Sequence, residues 1–258
     1  VEFIDGTGLA ILMVAATGAG WVDAVVGGGG LLLLPTMLLS SGLPLPTILG
    51  TNKLTAIAGT TSAAITYARR TPIDWPVAGP AAGLAVVFAG AGALVAGSVP
   101  PSAYRPVILG VLAAVALFLT FRPSMGLTGD PAKRTTTRMA VMIALGGGVI
   151  AFYDGAIGPG TGTFLVLGFT AIIGADFLRG SAMAKLINVG TNFGALVVFG
   201  LLGHVNWTLG AILACCNIVG AQFGARMALK RGAGFVRIVL LVVVLALVAR
   251  LSWDQWHS

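Results

Sequence analysis

AFYDGAIGPGTG (residues 151–162) places one acid, one proline and four glycines within twelve positions of an otherwise apolar run. Glycine and proline weaken a helix, and an acid in hydrocarbon is costly, so the stretch reads as a built interruption. A second stretch, AGWVDAVVGGGG (residues 19–30), has the same character. Laid over IAFYDGAIGPGT (150–161), it matches Asp23 to Asp154 and Gly27 to Gly158, both 131 positions apart. One inserted residue later, Lys53 falls on Lys185 and Trp75 on Trp207, each 132 apart. Three anchors in one order identify an internal duplication.

The composition says what solvent surrounds these interruptions. Of 258 residues, 57% are hydrophobic and 9% charged, against about 25% charged in soluble domains. Segments such as VILGVLAAVALFLTF (107–121) and VLLVVVLALVA (239–249) offer no polar face, which excludes a soluble helical bundle. Apolar segments recur along the chain at 6–26, 31–41, 46–68, 75–97 and 104–121, then at 139–157, 162–173, 177–202, 207–229 and 235–251. Most suit a helix crossing a hydrocarbon core about 30 Å thick, but the second of each half is too short to span comfortably. Whether that short segment crosses or re-enters stays open at this point.

The net charge of +7 comes from residues at segment ends: Arg69 and Arg70, then Arg122, Lys133, Arg134 and Arg138, then Lys230, Arg231 and Arg237. That is the pattern of cytoplasmic loops rather than of a nucleic-acid surface, so no nucleic-acid partner is expected. The loop after the third segment carries Arg69 and Arg70 in the first half and uncharged GHVN (203–206) in the second. After the fourth segment the signs trade places, SVPPSAY (98–104) against KRGAG (230–234). The two halves therefore lie in opposite orientations, with loops 69–74, 122–138 and 230–234 cytoplasmic. The expected fold is an all-α polytopic membrane protein of two inverted-topology repeats, each of about five helical segments, with broken half-helices meeting near the bilayer midplane. Repeat one covers 1–122, a linker 123–138, and repeat two 139–258. Lipid surrounds such a chain, and a homodimer is compatible with it.

In hydrocarbon, unwound backbone is tolerated only against protein or a water-filled cavity, so interruptions at matching places in both halves point to a binding site. LLLLPTMLLSS after Gly30 and GTFLVLGFTAII after Thr161 read as half-helices starting inside the membrane. Their free N–H groups and positive dipole ends favour an anion, which brings forward Gly28, Gly29, Gly30, Gly160 and Thr161. Four charges fall inside apolar segments: Asp23, Lys53, Asp154 and Lys185. Lys185, Asn188 and Asn192 share one helix face, and Lys53 with Thr60, flanked by Asn52 and Thr55, is a paler copy. Together these residues suggest a positive, donor-rich pocket for a small oxyanion, with Asp23 and Asp154 either carrying protons or pairing with the lysines. Gln222, one turn before the snorkelling Arg226, is a weaker candidate for the same cavity.

Other chemistry finds little support. Cys215 and Cys216 are neighbours on a helix and read as packing residues, while His204 and His257 have no partner at ligand spacing, so neither a metal nor another cofactor is expected. Tyr153-Asp154 is similar to the Tyr-Asp element of intramembrane aspartyl proteases, but the other acid, in WVDAVVGG (21–28), lacks a Gly-x-Gly-Asp context and the lysines would have no role. No catalytic residue is assigned.

VDAVVGGGGLLLLPTMLLSSGLPLPTILGTNKLTA (22–56), together with FYDGAIGPGTGTF (152–164) and AMAKLINVGTNFGAL (182–196), resembles the sulfite exporter TauE/SafE family, also called TSUP permeases, with the second half especially similar to the YfcA-type branch. The resemblance implies a bacterial inner-membrane permease for sulfur-containing anions such as sulfite, thiosulfate or sulfonates, or for other organic anions. It fixes neither direction nor coupling ion. A passive anion channel is the nearest alternative.

Overall fold

A computed structural model describes residues 6–96, 98 and 126–256. The fifth apolar segment of the first half, 104–121, and His257 lie outside the described residues. The helices are α1 (Gly6–Val26), α2 (Gly30–Ser40), α3 (Leu45–Ala68), α4 (Trp75–Ala96), α5 (Thr136–Ala156), α6 (Thr161–Ile173), α7 (Phe177–Leu201) and α8 (Trp207–Trp256). Among them five stretches are long and apolar enough to span a membrane: α1, α4, α5, α7 and Trp207–Val243 of α8. The architecture is that of an all-α polytopic membrane protein. α3 has 24 residues but spends its length on Thr51, Asn52, Lys53, Thr55 and Thr60, all buried, because it lines the molecule's interior.

Local chemistry sets the ends. Pro44 in extended conformation and Pro46 in the first turn start α3, where a missing N–H costs nothing. Thr135 caps α5 by accepting from the Arg138 N–H, and Asp176 caps α7 by accepting from Arg179. α8 breaks at Gly232, whose φ of 76° and ψ of −171° suit glycine alone, so its first arm ends near the boundary expected at 229.

The helix directions follow from which residues touch. Gly220 and Gly224 of α8 lie against the backbone of Thr17 and Trp21, and Gly59 of α3 lies against Asn217, so α1, α3 and the first arm of α8 run parallel. Gly190 and Gly194 of α7 meet Ala82 and Val86 of α4, and Gly147 and Gly155 of α5 meet Ala81 and Ala89, so α4, α5 and α7 form a second parallel set. Small residues permit these backbone approaches, which supply much of the packing between membrane helices. The sets are opposed: Gly50, near the start of α3, sits by Phe199 and the His204 carbonyl at the end of α7, and Thr51 Oγ1 accepts from the Asn206 N–H at 2.9 Å. Since α1, α3 and α4 correspond by repeat to α5, α7 and the first arm of α8, the duplication is an inverted one.

α2 and α6 fold back. Gly29 begins α2 beside Ala19 and Asp23, while Leu33, Leu34 and Met37 share a core with Leu12, Ala15 and Ala16 near the other end of α1. Likewise Leu165 and Gly168 of α6 pack on Gly146 and Met142 of α5. With 11 residues in α2, and 8 plus 5 in α6, each reaches roughly 16–20 Å at 1.5 Å per residue. Both are re-entrant half-helices.

One face of the bundle is basic. Arg69, Arg70, Lys133, Arg134, Arg138, Arg179, Lys230 and Arg231 lie there, and Arg134 grips Asp74 with Nε at 2.6 Å and Nη2 at 2.9 Å. That fork holds the guanidinium more firmly protonated than in a free arginine. The opposite loops, 41–44 and 202–206, contain no lysine or arginine. Two expectations are corrected here. Gln222 does not reach an interior cavity: its Nε2 donates to Ser62 Oγ and Thr66 Oγ1, tying α8 to α3. Cys215 is exposed and Cys216 half-buried, so Cys215 is not a packing residue; both thiols are free.

Candidate functional site

Two apolar cores, one holding Val26, Tyr67, Leu165 and Phe177 and the other Leu12, Met37, Ile48 and Phe199, leave a polar layer between them. Both interruptions lie in this layer. α1 stops where Gly27 takes φ +79°, and α5 stops before Gly158 at φ +95°, followed by Gly160 at +85°. Repeat-equivalent glycines thus adopt the same left-handed turn. Gly27 and Gly162 touch backbone to backbone, leaving no room for a Cβ on either.

The four intramembrane charges pair crosswise. Lys53 Nζ of the first repeat lies 2.9 Å from Asp154 Oδ2 of the second, and Lys185 Nζ of the second lies 2.9 Å from Asp23 Oδ2 of the first. Thr161 Oγ1 donates to Asp154 Oδ1 at 2.8 Å, and Thr60 Oγ1 donates to Asp23 Oδ2 at 3.1 Å. Pairing is what makes such charges tolerable, because a single buried charge lacking its partner is strongly destabilising. Their formal charges sum to zero. The electropositive character expected of two free amines is therefore not present, and what remains positive is the set of N–H groups at the half-helix starts. Among the described residues, Gly162 and Thr163 donate to no backbone acceptor there.

Between the breaks lies a cavity of about 370 Å³, counted out to its open mouth. Of the residues singled out by sequence, Asp23, Gly30, Asn52, Lys53, Asp154, Gly160, Thr161, Asn188 and Asn192 line it. Gly28 and Gly29 do not: Gly28 packs on Val22 and Val243, and Gly29 on Ala19. Lys185 sits behind Asp23 with no exposure at all. Gly27, Ala56, Gly158 and Gly162 complete the wall. Asn52, Asn188 and Asn192 are 7%, 5% and 7% exposed, yet no side-chain hydrogen bond engages them among the described residues. Buried amides are normally satisfied, so three unengaged ones around a single cavity offer both donors and acceptors to a guest, and the Asn188 Oδ1 is buried with no partner.

Sequence reading missed the residues that hold the first break together. Tyr67 Oη donates to the Ala24 carbonyl at 3.0 Å, Ser181 Oγ to Val25 at 3.1 Å and Thr163 Oγ1 to Val26 at 3.0 Å. Ser181 was within reach, since it lies one turn before Lys185 on the same face. Tyr67 and Thr163 gave no local signal, because their acceptors are distant main-chain atoms.

Opposed repeats, re-entrant half-helices and a polar chamber between them define a membrane transporter. A family model described as Sulfite exporter TauE/SafE matches residues 12–251. The chain belongs to the TauE/SafE sulfite exporter family. It is 39% identical over 249 residues to a probable membrane transporter protein ORF9 of Sinorhizobium sp., covering 96% of this chain and 94% of that one. It is 32% identical over 249 residues to the probable membrane transporter protein YfcA of Escherichia coli K12, covering 96% and 90%. A probable membrane transporter protein of Haemophilus influenzae is 29% identical over 253 residues, covering 96% and 95%. No solved structure matches. The family is one of transporters, and the protease reading is set aside.

Proposed function

We propose that this protein is a secondary transporter that carries a small sulfur-containing anion, such as sulfite, thiosulfate or a sulfonate, across the bacterial inner membrane by alternating access. The observation that carries the reading is the convergence of three unengaged asparagine amides, one cavity-facing amine and two half-helix starts on one chamber. Each of these groups is able to donate a hydrogen bond, which suits an oxyanion. The name of the matched family supports sulfur oxyanions within this class.

The basic face is the cytoplasmic one by the positive-inside rule, which puts loops 69–74, 126–138 and 230–234 inside the cell. Proton coupling through Asp23 or Asp154 is the subordinate reading: a proton on Asp154 would release Lys53 for the anion. A passive channel is the competing function. Binding is tested by thermal shift and calorimetry of purified protein against sulfite, thiosulfate, sulfate, sulfoacetate, taurine and simple carboxylates. A sulfur oxyanion should raise the melting temperature in a saturable way. Stabilisation by carboxylates alone would move the substrate class, and stabilisation by none of them would refute the reading.

A further inference from the structure

The side-chain charges around the chamber cancel. Lys53 is paired with Asp154 and Lys185 with Asp23, so the four together carry no net formal charge. What is left over is the positive ends of α2 and α6, which meet the cavity at Gly30 and Gly162. Among the described residues, neither of those N–H groups has a backbone acceptor. A helix start carries about half a positive charge, so two of them compensate roughly one negative charge on a guest. A second negative charge would lie against the carboxylates of Asp23 and Asp154, in a layer between apolar cores where repulsion is weakly screened.

The wall also accepts hydrogen bonds. Asn188 is 5% exposed and borders the cavity, and its Oδ1 is buried without a partner among the described residues. Asp23 borders the same space with its side chain 19% exposed. Lys185 and Thr60 both donate to its Oδ2, and among the described residues its Oδ1 accepts nothing. A buried acceptor left without a donor is costly, and a carboxylate oxygen repels a bare oxyanion. A guest that presents an N–H or O–H of its own relieves both.

We infer that the chamber selects a singly charged oxyanion that carries a hydrogen-bond donor beside its oxygens. Asn188 and Asp23 read the donor, while the half-helix starts read the oxygens. This rests on the reading of the cavity as an anion site and narrows it. Of the anions proposed above, hydrogen sulfite and short sulfonates bearing a hydroxyl or N–H group meet the description. Thiosulfate, a dianion with no donor, does not.

The test is calorimetric titration of the full chain in detergent with three sodium salts of similar size. Sulfamate is a monoanion with an N–H donor, methanesulfonate a monoanion with a methyl group in its place, and sulfate a dianion with acceptors only. Sulfamate should bind at least about tenfold more tightly than either of the others. Asn188→Leu keeps a side chain of similar shape and removes the acceptor, so the ratio of sulfamate to methanesulfonate affinity should fall at least about threefold. Taking the ratio cancels the amide donor that both anions lose. If that variant does not accumulate, the ratio in the native protein decides alone. Methanesulfonate or sulfate binding as tightly as sulfamate would overturn the selection while leaving an anion site in place, as would an unchanged ratio in Asn188→Leu. Binding of none of the three overturns the selection and the anion site together.

Discussion

At the scale of the residue, burial decides what each charge can do. Lys185 is fully buried against Asp23, so Lys185→Ala leaves an unpaired carboxylate in the membrane interior. We expect a loss of about 3–5 kcal/mol, measured as reduced folded yield and earlier loss of monodispersity on heating. Asp23→Asn in the same chain should recover much of it, since the pair then leaves together. Gly27 has φ +79° and touches Gly162, so Gly27→Ala meets both backbone strain and a collision. Strain of this kind alone costs about 1–3 kcal/mol, and size-exclusion profiles of the fluorescent fusion should show aggregate in place of the native peak. The four charges were legible in the sequence because charges are rare inside apolar segments. Their crosswise pairing was not, because a repeat offset says which residues are equivalent and nothing about which ones meet.

At the scale of the element, the apolar runs placed the helix ends to within about three residues wherever a glycine, proline or cap closed them. α3 was expected at 46–68 and is Leu45–Ala68; the segment expected at 177–202 is Phe177–Leu201. The fate of the short segments was hidden, since 11 apolar residues can begin a tilted span or turn back. Only the packing of Met37 beside Leu12, and of Gly168 beside Met142, decides it. Parallel neighbours rest on glycine ridges, and Gly194 of α7 has no room for a side chain against the Val86 carbonyl of α4. Gly194→Leu should therefore push α4 from α7 and lower the melting temperature by several degrees, whereas Gly79→Leu, in open space on α4, should leave it unchanged. Differential scanning fluorimetry checks both.

At the scale of the whole molecule, inversion turns one unit into a chamber with two similar but unequal walls. Charge asymmetry in the loops was enough to infer it, and the antiparallel meeting of α3 with α7 agrees. With Cys215 and Cys216 replaced by serine, Arg70→Cys and Arg231→Cys should react with an impermeant maleimide from the cytoplasmic side and Leu202→Cys from the other. The account as a whole stands or falls on sulfite counterflow in proteoliposomes, comparing native protein with Lys53→Ala. Preloaded sulfite should drive transient uptake of labelled sulfite through the native protein, and at least about tenfold less through the variant. Equal uptake by the two, or leakage down the gradient with no counterflow, would contradict a carrier built around Lys53.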